Sequence, residues 1–308
     1  MQFEQQMEEN ARAFLHGFGL KLEEIVDLIR PVGENELLLL AGSVVEGLAN
    51  AESDLDLILI GDGPRLASLT LREERVETST IIHPSGLEVS IDTYEPKELE
   101  RVSATMRVLV HCLDDPDSID TFPIIYDESD RKLLHRLATS IPLANEEAVV
   151  RSRAGAFVDR LPEVVAITRM IDHFSHREDA ISHANLQQWD AASFSLMRSA
   201  TDIVGALNAA AGLTNHNARW SIPLLRQAAA QLPPFDVDFA IDLMLSRVQD
   251  NTTFDTQVDR MNELVGVVAQ QLPGLLPISA KIAEHFPITL ARVDGAEATM
   301  PKPWEAAT

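Results

Sequence analysis

Residues 37–60, LLLLAGSVVEGLANAESDLDLILI, constrain this chain more than any other stretch. An apolar run, Leu37 to Leu40, leads into the small pair Gly42-Ser43. Ten residues later stand Asp54 and Asp56, with Leu55 between them and the apolar Leu57 to Ile60 behind. The pattern predicts a strand over 36–41, a tight turn, one short helix and a second strand over 54–60. Strand side chains alternate between faces, so Asp54 and Asp56 project from one side of an otherwise apolar strand.

Two carboxylates held side by side repel each other unless a cation lies between them. Hard divalent ions such as Mg²⁺ take oxygen ligands of this kind, together with substrate phosphates. Gly42 allows the backbone to approach a bulky anion. The Ser43 hydroxyl and the N-terminus of the short helix behind it form a candidate phosphate seat. The stretch is not a Walker loop, because no Gly-Lys-Ser/Thr follows. No His–Asp arrangement surrounds Ser43 or Ser53, which argues against serine hydrolase chemistry.

The chain around this stretch reads as α+β. Residues 3–29 predict a helix, divided at Gly17 and Gly19, with Leu22, Ile25, Val26 and Ile29 on one face. After a turn at Gly61–Pro64, residues 65–75 read as a short helix. Strands over 77–83 and 87–94 form a hairpin around Pro84-Ser85-Gly86. In the second strand Leu87, Val89 and Ile91 face one way, and Glu88, Ser90, Asp92 and Tyr94 the other. Pro96 opens a helix to about Leu113. Phe122 to Tyr126 reads as another strand, and a helix begins near Asp130. Beyond 130 the pattern predicts only helices: 146–173 interrupted at Pro162, a long one over 178–211 ending near Gly212, then 219–231, 236–250, 254–271 and 277–286. His173, His176 and His183 read as part of a solvated break rather than a zinc site, since no cysteine lies nearby. The domains expected are residues 1–130, a small mixed sheet with flanking helices, and 131–290, an all-helical bundle. Residues 291–308 read as a loose tail.

Composition narrows the function. A net charge of −23 is the reverse of the basic footprint that nucleic-acid binders carry. It either serves solubility or prepares an acidic pocket for a cationic substrate. The single cysteine, Cys112, excludes an internal disulfide and fits a reducing compartment, so a cytoplasmic protein is expected. The first residues show no signal-peptide pattern, and no apolar run approaches membrane-spanning length. Lysine is confined to Lys21, Lys97, Lys132, Lys281 and Lys302, so a triphosphate-binding cation from mid-chain is expected to be an arginine.

Gly42-Ser43, ten residues and then Asp54-Leu55-Asp56-Leu57 resemble the signature of the DNA polymerase β-like nucleotidyltransferase superfamily. The longer string GSVVEGLANAESDLDL, with Gly47 and Ser53, resembles its small-molecule branch, typified by kanamycin and streptomycin nucleotidyltransferases, and the minimal nucleotidyltransferases. The resemblance implies a third carboxylate on a later strand, and Asp92 in LEVSIDTY fits. Residues 207–233 resemble, more loosely, the helical half of the antibiotic-type enzymes, with Arg219-Trp220 where those proteins often carry Lys-Trp. That match makes Arg219 a candidate phosphate ligand or, equally, a surface arginine at a helix start.

What the resemblance implies is transfer of a nucleoside monophosphate, most simply AMP from ATP, to a hydroxyl of a small molecule. Asp54, Asp56 and Asp92 would hold two Mg²⁺ ions, with Asp92 either a ligand or the general base. Gly42 and Ser43 would hold phosphates, and Ser53 would orient Asp54. The acceptor could instead be a protein or a tRNA end, as in toxin–antitoxin systems. A third possibility is a nucleotide-binding protein that does not catalyse. Relatives of this kind are monomers or dimers.

Overall fold

The computed structural model describes residues 2–27, 32–34, 36–61, 70–72, 76–115, 117–118, 128–215, 217–275 and 278. The described residues divide into two compact units, one drawn from 1–107 and 125–159, the other from 108–124 and 160 onward. The class is α+β, with a mixed sheet and flanking helices in the first unit and helices in the second.

The first unit opens with α1 (Gln2–Gly17) and α2 (Leu22–Asp27), divided as the glycines predict, with Gly19 at φ +69°. Next come β1 (Leu37–Ala41), β2 (Leu55–Ile60), β3 (Thr70–Arg72), β4 (Glu77–Ile82) and β5 (Glu88–Tyr94). Helix α3 (Pro96–Asp114) begins in this unit, and α4 (Glu128–Ala138), β6 (Ile141–Ala144) and α5 (Glu146–Gly155) complete it. The sheet order is β3-β4-β5-β2-β1-β6. Only β2 and β5 run parallel among these pairs, and the rest are antiparallel.

One sheet face carries the apolar core. Leu38, Leu40, Leu55, Leu57, Leu59, Val89 and Ile91 are buried there against Met7, Ala11 and Leu15 of α1 and Leu22 and Ile25 of α2. The α1 positions recur every four residues, which brings them onto one stripe. Period-two alternation then commits Leu39, Asp56, Ile58, Asp92 and Tyr94 to the opposite face. The core on one side thus dictates where the acids point on the other.

Several expectations change. Residues 43–47 form hydrogen-bonded turns and not a helix, with the Gly42 carbonyl accepting from the amides of Val45 at 3.1 Å and Glu46 at 3.2 Å. Leu48 N–H then donates to Ser43 O at 2.8 Å, which closes the loop before a helix can propagate. Residues 70–72 are strand, not helix, because they pair with β4. The rest of the helix expected over 65–75 lies largely outside the described residues, as do the strand at 122–126, most of the helix at 277–286 and the tail at 291–308. Strand β6 lies past the expected boundary at 130, so the sheet unit runs on to about 159. Its four residues, IPLA, include a proline that such a short edge strand tolerates.

In the second unit α6 (Leu161–Asn185) and α7 (Trp189–Ala210) pack against each other, and α7 also touches α8 (Ser221–Ala228), α9 (Val237–Leu245) and α10 (Asn251–Gln271). Leu196, Ala200, Ile203, Val204 and Leu207 of α7 are buried, as their spacing predicts. The long helix expected over 178–211 is two helices. The break falls at Leu186–Gln188, where Gln187 takes φ +57°. Helix α7 ends at Gly212, φ +83°, whose amide bonds Ala209 O.

Leu57 is fully buried at the centre of the apolar face. Leu57→Ala is expected to lower unfolding free energy by about 2–5 kcal/mol in urea denaturation. A loss below about 1 kcal/mol would contradict the packing described.

Candidate active site

Strand register assembles the site. Asp56 on β2 lies beside Ser90 of β5, and Asp92 lies beside Ile58, so the two acids share a face as diagonal neighbours. Such neighbours lie roughly 7–8 Å apart between Cα atoms, the span one forked guanidinium covers. Arg136 of α4 fills that span. Its Nη2 donates to Asp56 Oδ1 at 2.8 Å and its Nη1 to Asp92 Oδ2. Lys132, one helical turn earlier, brings Nζ within 2.9 Å of the same Asp92 oxygen. Thr78 sits opposite Asp92 on β4 and donates Oγ1 to its Oδ1 at 2.6 Å.

These groups are largely withdrawn from water. Exposure of the side chain is 19% for Asp56, 7% for Asp92 and 12% for Arg136. Burial pushes the Asp56 carboxyl up, helped by the nearby charges of Asp54 and Asp92 and only partly opposed by Arg136. For Asp92 burial acts in the same direction, but Arg136, Lys132 and the Thr78 bond outweigh it and hold the carboxyl below its ordinary value. The two acids of one site are therefore driven apart.

Gly42 explains why the first motif position must lack a side chain. It takes φ +81°, and a Cβ there would stand 2.1 Å from Asp56 Oδ2. The space a methyl would fill is taken by the Asp56 carboxylate, which lies directly against the Gly42 backbone. Asn10 of α1 ties the same turn down, donating Nδ2 to Val45 O at 2.9 Å, and Gly47 is open for it at φ +72°. Helix α4 holds the turn from another side. The ring Nε2 of buried His135 lies 3.1 Å from Glu46 Oε1. Helix α4 is itself anchored to α3 by the forked pair of Arg101 with buried Asp130.

The expected site residues divide as follows. Gly42, Asp56 and Asp92 come together, with Asp54 near enough to Asp56 to influence its ionisation. Ser43 is buried in the turn. Ser53 does not bond Asp54. Its Oγ accepts from the Asn50 amide at 2.9 Å and closes the turn that delivers Asp54 to β2. Arg219 belongs to the second unit. It is exposed, and its guanidinium lies 4.8 Å from the centre of the Trp220 ring. Lys132, His135, Arg136 and Thr78 are the residues sequence reading missed. Lys132 and Arg136 sit four apart on one helix face, a spacing that in a polar helix signals a solvated surface as readily as a site.

His173 and His176 do not lie in a solvated break, whereas His183 lies at the break between α6 and α7, 2.9 Å from Gln188 Oε1. His173 is fully buried inside α6, with Nδ1 2.8 Å from Ser199 Oγ of α7, and burial pulls its proton affinity down to about 3. His176 Nδ1 lies 2.7 Å from Asp202, which also accepts from Arg169 at 2.9 Å. These contacts join α6 to α7.

The donor chemistry of Asp54, Asp56 and Asp92 suits a hard divalent ion. Among the described residues no three His, Cys, Asp or Glu side chains stand close enough to hold a metal as they are. Two of the acids are instead joined through Arg136.

A family known only as DUF6001, of unknown function, matches residues 3–167, more than half of the chain. The chain belongs to that family. The DUF6001 span includes every sheet strand, the Gly42 turn, Asp54, Asp56, Asp92 and the whole of α4. Arg219 lies outside it. No curated protein matches the chain.

The opposed ionisation of the two acids makes a signed prediction. Asp92, depressed, contributes stability above the ordinary carboxyl value of about 3.9, and that contribution is lost as pH falls through its lower folded value. Asp56, raised, costs stability above the ordinary value, and the cost fades on acidification. Asp92→Asn is expected to lose about 3 kcal/mol at pH 7, more than Asp56→Asn, with the gap to wild type closing below about pH 4. Urea melts of both variants from pH 3 to 7 check it. A gap for Asp92→Asn that widens on acidification would contradict the assignment.

Proposed function

We propose that this protein is a nucleotidyltransferase that moves a nucleoside monophosphate, most simply AMP from ATP, onto a hydroxyl of a small molecule. The observation that carries the reading is the shared position of Asp56 and Asp92 on parallel neighbours β2 and β5, facing a turn whose Gly42 must lack a side chain. A buried like-charged pair costs folding energy, so the packing of Asp56 against the Gly42 backbone supports a site for a ligand with compensating charge.

Asp54, Asp56 and Asp92 would hold Mg²⁺. When bound, the ion supplies charge neutralisation for the triphosphate and the departing pyrophosphate. The Gly42-Ser43 turn lets phosphate oxygens approach the backbone. The acceptor oxygen bonds the α-phosphorus as the bond to pyrophosphate breaks, and a carboxylate of the set takes the hydroxyl proton. No helix of the described residues is long and apolar enough to cross a membrane. Buried Cys112, the single cysteine, has no second cysteine to form a disulfide with, which fits work in the cytoplasm. The strong negative charge favours a cationic acceptor over a nucleic acid.

One observation favours a second reading. Arg136 and Lys132 already neutralise much of the acidic pair, as a purely structural ion network would. Turnover separates the two readings. With ATP labelled at the α-phosphate, Mg²⁺ and a cell extract, label is expected to pass to small solutes with pyrophosphate released. Asp54→Asn and Asp56→Asn, both folded, are expected to fall below about one hundredth of wild-type release. Full activity in either variant would overturn the mechanism, and label in macromolecules would reassign the acceptor.

A further inference from the structure

We infer that Arg136 is an exchangeable counter-ion, which neutralises Asp56 and Asp92 in the ligand-free protein, yields them to a divalent cation, and passes its guanidinium to the incoming polyphosphate. This rests on the nucleotidyltransferase reading and adds to it the residue that binds the triphosphate. Arg219 was another candidate for that work, and its guanidinium is stacked on Trp220.

The argument starts from space and charge. One guanidinium spans both carboxylates, with one Nη on each. A divalent cation seated between the same oxygens would face that guanidinium at contact distance. Like charges so close in a site screened from water repel each other. The two cations therefore exclude each other from the same oxygens. The backbone has no reason to move. The acids are locked by strand register, and α4 is anchored through Asp130 to Arg101 and through His135 to Glu46. The mobile part is the arginine side chain, whose long stem can pivot from a fixed helix.

The chemistry of the displaced group decides its destination. A guanidinium always carries its charge, and its forked donors match phosphate oxygens in pairs. Asp56 Oδ2 lies against the Gly42 backbone, so phosphates held at that turn would lie beside Asp56. Arg136, already on Asp56 Oδ1, reaches the other oxygen of the same carboxylate. Lys132 shares the helix face, four residues away, and is 34% exposed. It can remain on Asp92 or join the phosphates. Asp54 adds its negative charge near Asp56, which favours entry of a metal ion.

The test measures binding rather than turnover. Full-length wild type, Arg136→Gln and Arg136→Lys are titrated calorimetrically with Mn²⁺ alone, and then with α,β-imido analogues of the four common ribonucleoside triphosphates in the presence of Mn²⁺. Arg136→Gln is expected to bind Mn²⁺ roughly fivefold more tightly, because the competing cation is gone, and the preferred analogue roughly tenfold more weakly. Arg136→Lys is expected to fall between. A purely structural arginine would weaken both or neither. A folded Arg136→Gln with unchanged or weaker Mn²⁺ binding, or unchanged analogue binding, overturns the exchange. Wild type is also followed through the ¹⁵N–¹H signals of the Arg136 guanidinium, which keeps the test open if the glutamine variant does not fold. Those signals are expected to shift on adding Mg²⁺ with the analogue, and their failure to move overturns the inference. If wild type binds none of the analogues, the nucleotidyltransferase reading falls and the exchange with it. If wild type binds and Arg136→Gln binds equally, the exchange alone falls.

Discussion

The ion pair of Arg136 with Asp56 and Asp92 is the contact on which the rest of this molecule turns. Two carboxylates on one face of a sheet, largely cut off from water, cannot both stay charged without a cation between them. The sheet cannot relieve the strain by turning either one away. Their neighbours Leu55, Leu57, Val89 and Ile91 are committed to the opposite face by the packing of α1 and α2, and a one-residue slip would expose that whole apolar layer. The hydrophobic core thus holds two repelling charges in place, and α4 supplies the charge that makes this tolerable. A polar arrangement maintained against its own energetics is the kind that function, rather than stability, explains.

The supporting contacts converge on the same place. Asn10 of α1 and His135 of α4 fasten the turn between β1 and β2 from two sides. Thr78 on β4 fixes one oxygen of Asp92, which leaves the other to the basic residues of α4. Asp56 has no such hydroxyl partner among the hydrogen bonds to its side chain, and burial dominates its ionisation. The result is an asymmetric pair: one acid firmly ionised, the other poised upward, beside a glycine whose missing side chain lets the Asp56 carboxylate lie against the turn.

Much of this was readable in the amino-acid order. Strands β1, β2 and β5 announce themselves by apolar runs and alternation, and the shared face of Asp56 and Asp92 follows from the period of two together with parallel pairing. The basic half of the site was not readable. Lys132 and Arg136 belong to a helix with buried Leu133, Leu134 and Leu137, and nothing in KLLHR says which sheet position that helix crosses. That information lies in packing between elements far apart in sequence. Strand β6 was missed because IPLA is too short to show a period, and its strand state comes from pairing with β1. The histidines of α6 misled for the opposite reason. Polar residues near an expected break read as solvated, whereas His173 is buried with its Nδ1 against Ser199 of α7. DUF6001 membership covers the sheet and α4, so the acids and their basic partners fall within one family-wide segment, while Arg219 does not.

The most direct test of the central claim is a crystal structure of the protein grown with Mg²⁺ and a non-hydrolysable nucleoside triphosphate. The account predicts magnesium bonded to carboxylate oxygens of Asp54, Asp56 and Asp92 at about 2.0–2.1 Å, with phosphates against the Gly42-Ser43 turn. Nucleotide bound elsewhere, with Arg136 still bridging Asp56 and Asp92, would contradict it.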